Sequence, residues 1–220
     1  VSHELRTPLT VITGYLETLL DNVEDVNPRW SRALQQMQVQ GSRMQTLLND
    51  LLLLAKLEAT DYPSDNHPVA VQSLLQTIKN DAQALSGERG QQITLEADPT
   101  VLLKGSEGEL RSAFSNLVFN AVKYTQDKGN IRIRWWADEQ GAHLSVQDSG
   151  IGIDAKHLPR LTERFYRVDS SRNSNTGGTG LGLAIVKHVL SRHQGDLLIA
   201  SEPGRGSRFT ACFPARRLVS

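Results

Sequence analysis

The chain has a single cysteine, Cys212, among its 220 residues. A lone thiol closes no intrachain disulfide, so nothing in the sequence points to an oxidising compartment. Charge of either sign is not in excess: Lys and Arg together number 24, and so do Asp and Glu. General nucleic-acid binders and membrane-surface binders carry a basic surplus, so the balance speaks against both, leaving room for local patches. Long apolar runs are missing too. The longest, Leu51 to Ala55, falls far short of the ~20 residues that cross a bilayer. There is no visible signal peptide and no internal repeat. An initiator Met is also absent, and the chain opens inside a helical pattern. This reads as the C-terminal piece of a longer protein, and no direct membrane contact or nucleic-acid binding is expected of it. What remains is a composition of ordinary globular kind, with a length that suits one or two compact domains.

The first segment has helical periodicity. Leu5, Leu9, Ile12, Leu16, Leu19 and Val23 recur at alternating spacings of four and three, the seam of a helix packed against others. Asn27-Pro28 breaks the pattern, and Pro28 is well placed to start a new helix. The second helix repeats the spacing with Trp30, Leu34, Met37, Gly41, Met44, Leu48, Leu51 and Ala55. Two long helices joined by a short turn make a helical hairpin. Further apolar positions, Leu20, Leu47, Leu52 and Leu54 among them, widen the stripe beyond what one partner helix covers. Two hairpins from two chains would bury it as a four-helix bundle, which predicts a homodimer. The alternative is an intramolecular coiled coil covered by the second domain.

Residues 60–68, with two prolines and several polar side chains, read as a linker. Beyond it the pattern is mixed. Helices are predicted over 71–85, 107–124 and 180–193. Strands are predicted over 92–97, 101–104, 130–137, 143–147, 196–200 and 207–213. Ile131, Ile133 and Trp135 alternate with Arg132 and Arg134, the mark of a half-buried strand. Strand pairs with helices between them imply an α+β layer, helices on one face of a mixed sheet. The stretch 170–179 is almost entirely Ser, Arg, Asn, Thr and Gly, and reads as a mobile loop or lid.

Four groups of residues carry chemistry. Gly178, Gly180 and Gly182 open the helix after the loop. Glycines there let the backbone approach a ligand, and the helix start presents free N–H groups and a positive dipole end that suit phosphate. A plain turn also uses such glycines. The segment is neither a dinucleotide fingerprint, since no strand precedes it, nor a P-loop, since no Gly-Lys-Ser/Thr follows. Asp148-Ser149-Gly150-Ile151-Gly152 ends a strand. Its carboxylate can accept a hydrogen bond from an amino group such as that of adenine, and its glycines clear space for a flat base; a simple Asp-Gly turn is the alternative. Asn116 and Asn120 lie four apart on one helix face, where two amide oxygens suit Mg²⁺ and Lys123, three residues on, suits a phosphate. A solvated face is the other reading. Ser2-His3-Glu4-Leu5-Arg6-Thr7-Pro8-Leu9 sets His3 one step off the seam with Thr7 one turn on. The internal Pro8 removes a helical hydrogen bond to Glu4 at a cost of about 3 kcal/mol, favouring a bend beside an exposed histidine. Taken alone, an exposed histidine is usually a bystander. Zinc is not expected: His188 and His193 are five apart, off a common face, and Cys212 has no partner.

Taken in order, these segments resemble the catalytic core of the bacterial sensor histidine kinases. SHELRTPL resembles the H box, NLVFNAVKYT the N box, DSGIG the first glycine box, ERFYRVD the F box and TGGTGLGLAIV the second glycine box. The resemblance covers nearly the whole chain and implies the fold class. That class is a helical-hairpin dimerisation and phosphotransfer domain over residues 1–59, a linker over 60–68, and a GHKL (Bergerat) α/β sandwich over 69–217 of the type shared with gyrase, Hsp90 and MutL. It also implies roles. His3 is the phosphoacceptor, Glu4 the general base, and Thr7 the position that orients water when such kinases dephosphorylate their partner. Asn116, Asn120, Lys123 and Tyr124 face Mg²⁺ and the nucleotide. Asp148 meets adenine in a pocket shaped by Gly150 and Gly152. Phe165 anchors the lid, Arg164 and Arg167 meet phosphates or the transferring group, and Gly178, Gly180, Leu181 and Gly182 border the triphosphate. ATP and Mg²⁺ are the implied cofactors. The partners are a second copy of the chain and a response-regulator receiver domain.

Within the family the wording of LTERFYRVD, NLVFNAVKYT and GLGLAIVKH is most similar to the phosphate-responsive sensor kinases. That implies a PhoB-like regulator and, for the whole protein, an inner-membrane sensor whose cytoplasmic portion this is. Two other functions fit parts of the pattern: a GHKL ATPase that drives clamping, and a catalytically silent dimeric scaffold. The H box on a hairpin opposes the first, and the intact asparagines, Asp148 and glycines oppose the second.

Overall fold

In a computed structural model, residues 2–21, 28–59, 66–168 and 178–219 are described; within the two N-terminal helices the side chains of residues 2–8, 20–21, 28–29 and 31 are not. The hairpin consists of α1 (Ser2–Asp21) and α2 (Pro28–Glu58). The helix α1 runs on through Pro8. Where the two helices cross, Gly41 of α2 is buried and a Cβ there would lie 3.1 Å from Thr13 Oγ1, so the glycine sets a close approach.

Only part of the apolar seam is covered within one chain. Leu9 and Leu16 are buried, whereas Ile12, Leu19, Trp30, Met37, Met44 and Leu51 are exposed. Near its end α2 also has a second apolar face. Leu51 and Ala55 face outward, while Leu54 and Leu57, on the neighbouring face, are each 2% exposed. The reason is that a second domain covers that face, so the last turns of α2 serve two partners.

The second domain begins earlier than the predicted linker allows. Residues 60–65 lie outside the described residues, and β1 (His67–Val69) then pairs antiparallel with β3 (Leu103–Gly105). Between them come α3 (Val71–Ser86) and β2 (Gln92–Ala97). The chain continues through α4 (Glu107–Tyr124), β4 (Asn130–Asp138), β5 (Gly141–Asp148), α5 (Gly182–Arg192), β6 (Asp196–Glu202) and β7 (Gly206–Pro214). The main sheet has the order β2-β4-β5-β7-β6; only the β2–β4 pair is parallel, so the sheet is mixed as expected.

Strand β4 turns Ile131, Ile133 and Trp135 inward, and Leu144, Val146, Phe209, Ala211 and Phe213 extend that face across β5 and β7. Against it pack Val71, Leu74, Leu75 and Ile78 of α3, Phe114, Leu117 and Val118 of α4, and Ile185, Val186 and Val189 of α5. Phe114, Trp135 and Phe213 meet at ring-centroid distances of 6.1–6.4 Å in tilted and edge-on geometry. Leu54 and Leu57 of α2 belong to the same apolar cluster. Two layers, helices over a sheet, leave the inner ends of α4 and α5 beside the C-terminal end of β5, and the candidate site lies there. Among the described residues no helix is long and apolar enough to cross a membrane.

Candidate functional site

The helix α4 begins with acidic residues at Glu107 and Glu109 and ends with Lys123, charges placed to suit its dipole. Its apolar positions are committed to the core, which leaves Asn116, Asn120 and Lys123 half-buried on the face turned to the segment before α5. The Nδ2 group of Asn116 donates to the Ser112 carbonyl at 2.9 Å. Its Oδ1 lies against Gly182, where any Cβ would collide with it. Gly178 has the same relation to Lys123, whose Nζ occupies the space a side chain would need. Gly182 is therefore small because the held Asn116 amide presses on it, whereas at Gly178 the obstacle is only the flexible end of Lys123. Gly180 takes φ +74°, and a Cβ on it would come within 2.8 Å of Phe165 Cα.

Asp148 ends β5, 7% exposed. Its Oδ1 accepts from the Gly150 N–H at 2.8 Å, which fixes the turn that follows. Gly150 abuts the Tyr124 carbonyl, and the Ile151 N–H donates to that carbonyl at 3.3 Å. Gly152, at φ +67°, backs onto the Glu202 carbonyl, a site closed to any side chain. Burial raises the Asp148 carboxyl above the usual carboxylate range, while backbone N–H groups of Gly150 and Ser207 pull it down. A partly desolvated carboxylate with one oxygen engaged by the turn keeps acceptor capacity for an amino group.

Lys123 is pushed down, first by burial and then by the charges of Arg167 and Arg43. Burial raises the Tyr124 hydroxyl, with Arg167 acting the other way. Lys123 Nζ sits 5.0 Å from the Tyr124 ring centroid. Cations thus gather beside Gly178, and the acceptor Asp148 lies across the contact between the Tyr124 carbonyl and Gly150.

Phe165 has φ +62°, and its N–H donates to the Gly180 carbonyl at 2.9 Å. The connection between the F segment and the second glycine segment is thus made by backbone, and Phe165 itself is exposed. Residues 169–177, most of the expected lid, lie outside the described residues. Arg164 is committed to an ion pair with Glu58 of α2, a residue that His188 Nε2 also approaches at 3.3 Å. Arg167 stays half-buried beside Lys123 and Tyr124. Leu181 is buried and holds the start of α5 against the core.

Sequence reasoning missed a set of contacts from the hairpin. Thr179, between two of the glycines, donates from Oγ1 to Asp50 Oδ2 at 2.8 Å and accepts from the Leu181 N–H at 3.2 Å. Burial raises Asp50, and the Thr179 hydroxyl lowers it. At the far end of α5, buried Arg192 forms a two-pronged pair with Glu109, at 2.8 and 3.0 Å, and donates to the Leu57 carbonyl at 3.2 Å. Arg217 donates to the Arg192 carbonyl at 3.5 Å and to Asn66 Oδ1 at 2.7 Å. Both sides of residues 60–65 are therefore fastened at the end of α5. The signal for α2 was its second 4–3 spacing, Leu47, Asp50, Leu54 and Leu57, which the two polar neighbours on that face, Arg43 and Asp50, disguise. His3, Glu4 and Thr7 lie on α1, but their side chains fall outside the described set.

The profile for the histidine kinase-, DNA gyrase B- and HSP90-like ATPases matches residues 105–217, and that for the His Kinase A (phospho-acceptor) domain matches residues 1–60. The phosphate regulon sensor protein PhoR of Pseudomonas aeruginosa is 80% identical over 97% of this chain and 48% of its own length. Its namesake in Haemophilus influenzae is 43% identical over 100% of this chain and 51% of its own length. The chain thus spans about half the length of these relatives. Among solved structures, full-length ShkA in complex with AMPPNP superposes with a TM-score of 0.77 at 29% identity, over 97% of this chain and 45% of that one.

Proposed function

The chain belongs to the sensor histidine kinases, with their phospho-acceptor domain followed by their ATPase domain, and from this premise we propose that it phosphorylates its own His3 from ATP and passes the phosphoryl group to an aspartate of a response regulator. One observation carries the reading. The helix α4 touches Gly182 through Asn116, Gly178 through Lys123, and Gly150, beside Asp148, through the Tyr124 carbonyl. That sets amide oxygens and cations for phosphates, and a buried carboxylate for an amino-bearing base, along one helix, as a nucleotide requires.

The donor set suits Mg²⁺. Because Asn116 Nδ2 is held by its own helix, Oδ1 is the atom turned to the glycines, with Asn120 one turn along; hard amide oxygens beside phosphate are what this ion takes. When bound, Mg²⁺ neutralises phosphate charge that develops in the transfer. Lys123 and Arg167 supply fixed positive charge at the same end. The glycine segment lets backbone N–H groups at the start of α5 approach the phosphates. In the transfer a neutral imidazole nitrogen of His3 attacks the γ-phosphorus, the bond to the β-phosphate oxygen breaks, and ADP leaves. Glu4 holds the proton on the other ring nitrogen and receives it as the ring gains charge. The nitrogen stays nucleophilic near neutrality because the ordinary imidazole pKa is about 6.5.

Exposed Ile12, Leu19, Trp30, Met37 and Met44 along one hairpin face support a homodimer in which a second hairpin covers them. Likeness to PhoR proteins supports a phosphate-responsive role, a PhoB-like regulator, and a place as the cytoplasmic portion of an inner-membrane sensor. Thr7 supports a phosphatase activity toward the phosphorylated regulator. Incubation with radiolabelled ATP tests the central claim. The expected product is an acid-labile, base-stable phosphoprotein that His3→Ala abolishes with ATP binding intact; labelling retained in His3→Ala would overturn it.

A further inference from the structure

The inference rests on the ATP reading of the site and concerns what the hairpin adds to it. On α2, Arg43, Leu47, Asp50, Leu54 and Leu57 recur at spacings of four and three, so they share one helix face. That face is docked. Leu54 and Leu57 are buried in the ATPase core, Leu47 packs on its edge, and Asp50 holds Thr179 of the second glycine segment. Two turns above Asp50, roughly 10 Å along the axis, the same face carries half-buried Arg43.

Arg43 meets a gathering of like charge. Lys123 feels both Arg43 and Arg167, and Lys123 Nζ lies against Gly178 at the start of the glycine segment. Among the described residues, no carboxylate lies within ion-pair distance of Arg43, Lys123 or Arg167. Like charges this near a half-buried lysine repel one another, and an anion of multiple charge bound among them would relieve that repulsion. Two of them stand on the ATPase domain and the third on the second helix of the hairpin.

We propose that Arg43 reaches from α2 to the terminal phosphate of ATP bound in the ATPase domain, so that the nucleotide itself ties the hairpin to that domain. The group recognised is the γ-phosphate, since ADP leaves Lys123 and Arg167 served but removes the charge nearest the hairpin. Docked in this way, the chain senses whether its nucleotide is a triphosphate or a diphosphate. The Asp50–Thr179 bond keeps α2 in register with the glycines while it does so.

Calorimetric titration of the whole chain with Mg·AMPPNP and with Mg·ADP tests this, using Arg43→Ala and Arg43→Lys beside the wild type. Arg43→Ala should weaken AMPPNP about tenfold, the loss expected for one charged contact, and leave ADP within about twofold. Arg43→Lys should recover most of the AMPPNP loss. Unchanged AMPPNP affinity in Arg43→Ala overturns the contact, and equal weakening of both nucleotides overturns the γ-phosphate assignment. A wild type that binds neither nucleotide overturns the ATP reading, and this inference with it.

Discussion

Replacing Asp148 with Asn changes one atom and should disable nucleotide binding. In the folded chain Oδ1 of Asp148 accepts from the Gly150 N–H at 2.8 Å, and the side chain is almost wholly enclosed. An asparagine keeps that bond only by giving its amide oxygen to Gly150. Its NH₂ group then faces the position where an adenine amino group would donate, and two donors oppose each other. The lost charge-assisted bond is worth about 1.5–3 kcal/mol. Affinity should therefore fall roughly 10- to 150-fold, at the upper end because the opposed donor is buried as well. Loss of fold does not explain such a result. Burial raises the Asp148 carboxyl, so near neutrality its ionised form carries a desolvation cost that a neutral amide lacks. That gain offsets the weakened bonds from the Gly150 and Ser207 N–H groups, so the variant should melt close to the wild type at pH 8. Calorimetry with Mg·AMPPNP beside a thermal melt makes the comparison. A dissociation constant within threefold of wild type would refute the assignment of Asp148 to the base. The pH dependence gives a second check. The wild type should lose affinity as pH falls through the raised pKa, above the ordinary value of 3.8, and Asp148→Asn should lack that step.

Gly182→Ala places a Cβ on Asn116 Oδ1 and forces the amide aside, so Mg·AMPPNP affinity should drop at least about tenfold with little change in melting temperature. Equal affinity would show that Asn116 has no part in the site. Leu57→Ala removes a residue 2% exposed in the core shared by α2 and the ATPase domain, and should cost about 2–5 kcal/mol, read as a clear fall in melting temperature. His193 is fully buried, donates from Nδ1 to the Val189 carbonyl at 2.8 Å and accepts at Nε2 from the Ser106 N–H at 3.1 Å, so it must be neutral. Burial lowers its pKa, and the unfolded chain therefore takes the proton first. Stability should be level above the ordinary value of 6.5 and fall below it by up to about 1.4 kcal/mol per pH unit, a slope that His193→Gln should reduce. Thr7→Ala should leave self-phosphorylation intact and slow dephosphorylation of the phosphorylated regulator, measured by loss of label from it.

Much of the fold was legible where one period dominated. The predicted bounds of α4 hold because its apolar face, acidic start and basic end agree. The alternation in β4 fixed its inward residues outright. The three-residue β1 was hidden by Pro68 and by its short length, since its identity as a strand depends on β3, distant in sequence. The second face of α2 escaped because an Arg and an Asp sit in its apolar row, and the partner of Asp50, Thr179, lies 129 residues further along the chain. Asp148, the asparagines and the glycines were readable as separate motifs; that α4 touches Gly182, Gly178 and Gly150 alike depends on how that helix packs against the sheet. The positive φ of Phe165 was not readable at all, because a phenylalanine takes it only when tertiary bonds such as that to Gly180 require it.

The pegging of Leu57 and Asn66 to the same corner, through Arg192 and Arg217, bears on how far the hairpin can travel. The two anchor points on either side of residues 60–65 lie side by side, so adding chain between them adds no reach. Doubling the length of that stretch would alter closure entropy by only about 0.6 kcal/mol. The radius of any swing is measured instead from the place where α2 peels away from α5, and a designer who wants a longer arm must loosen Leu54 and Leu57 before touching the tether.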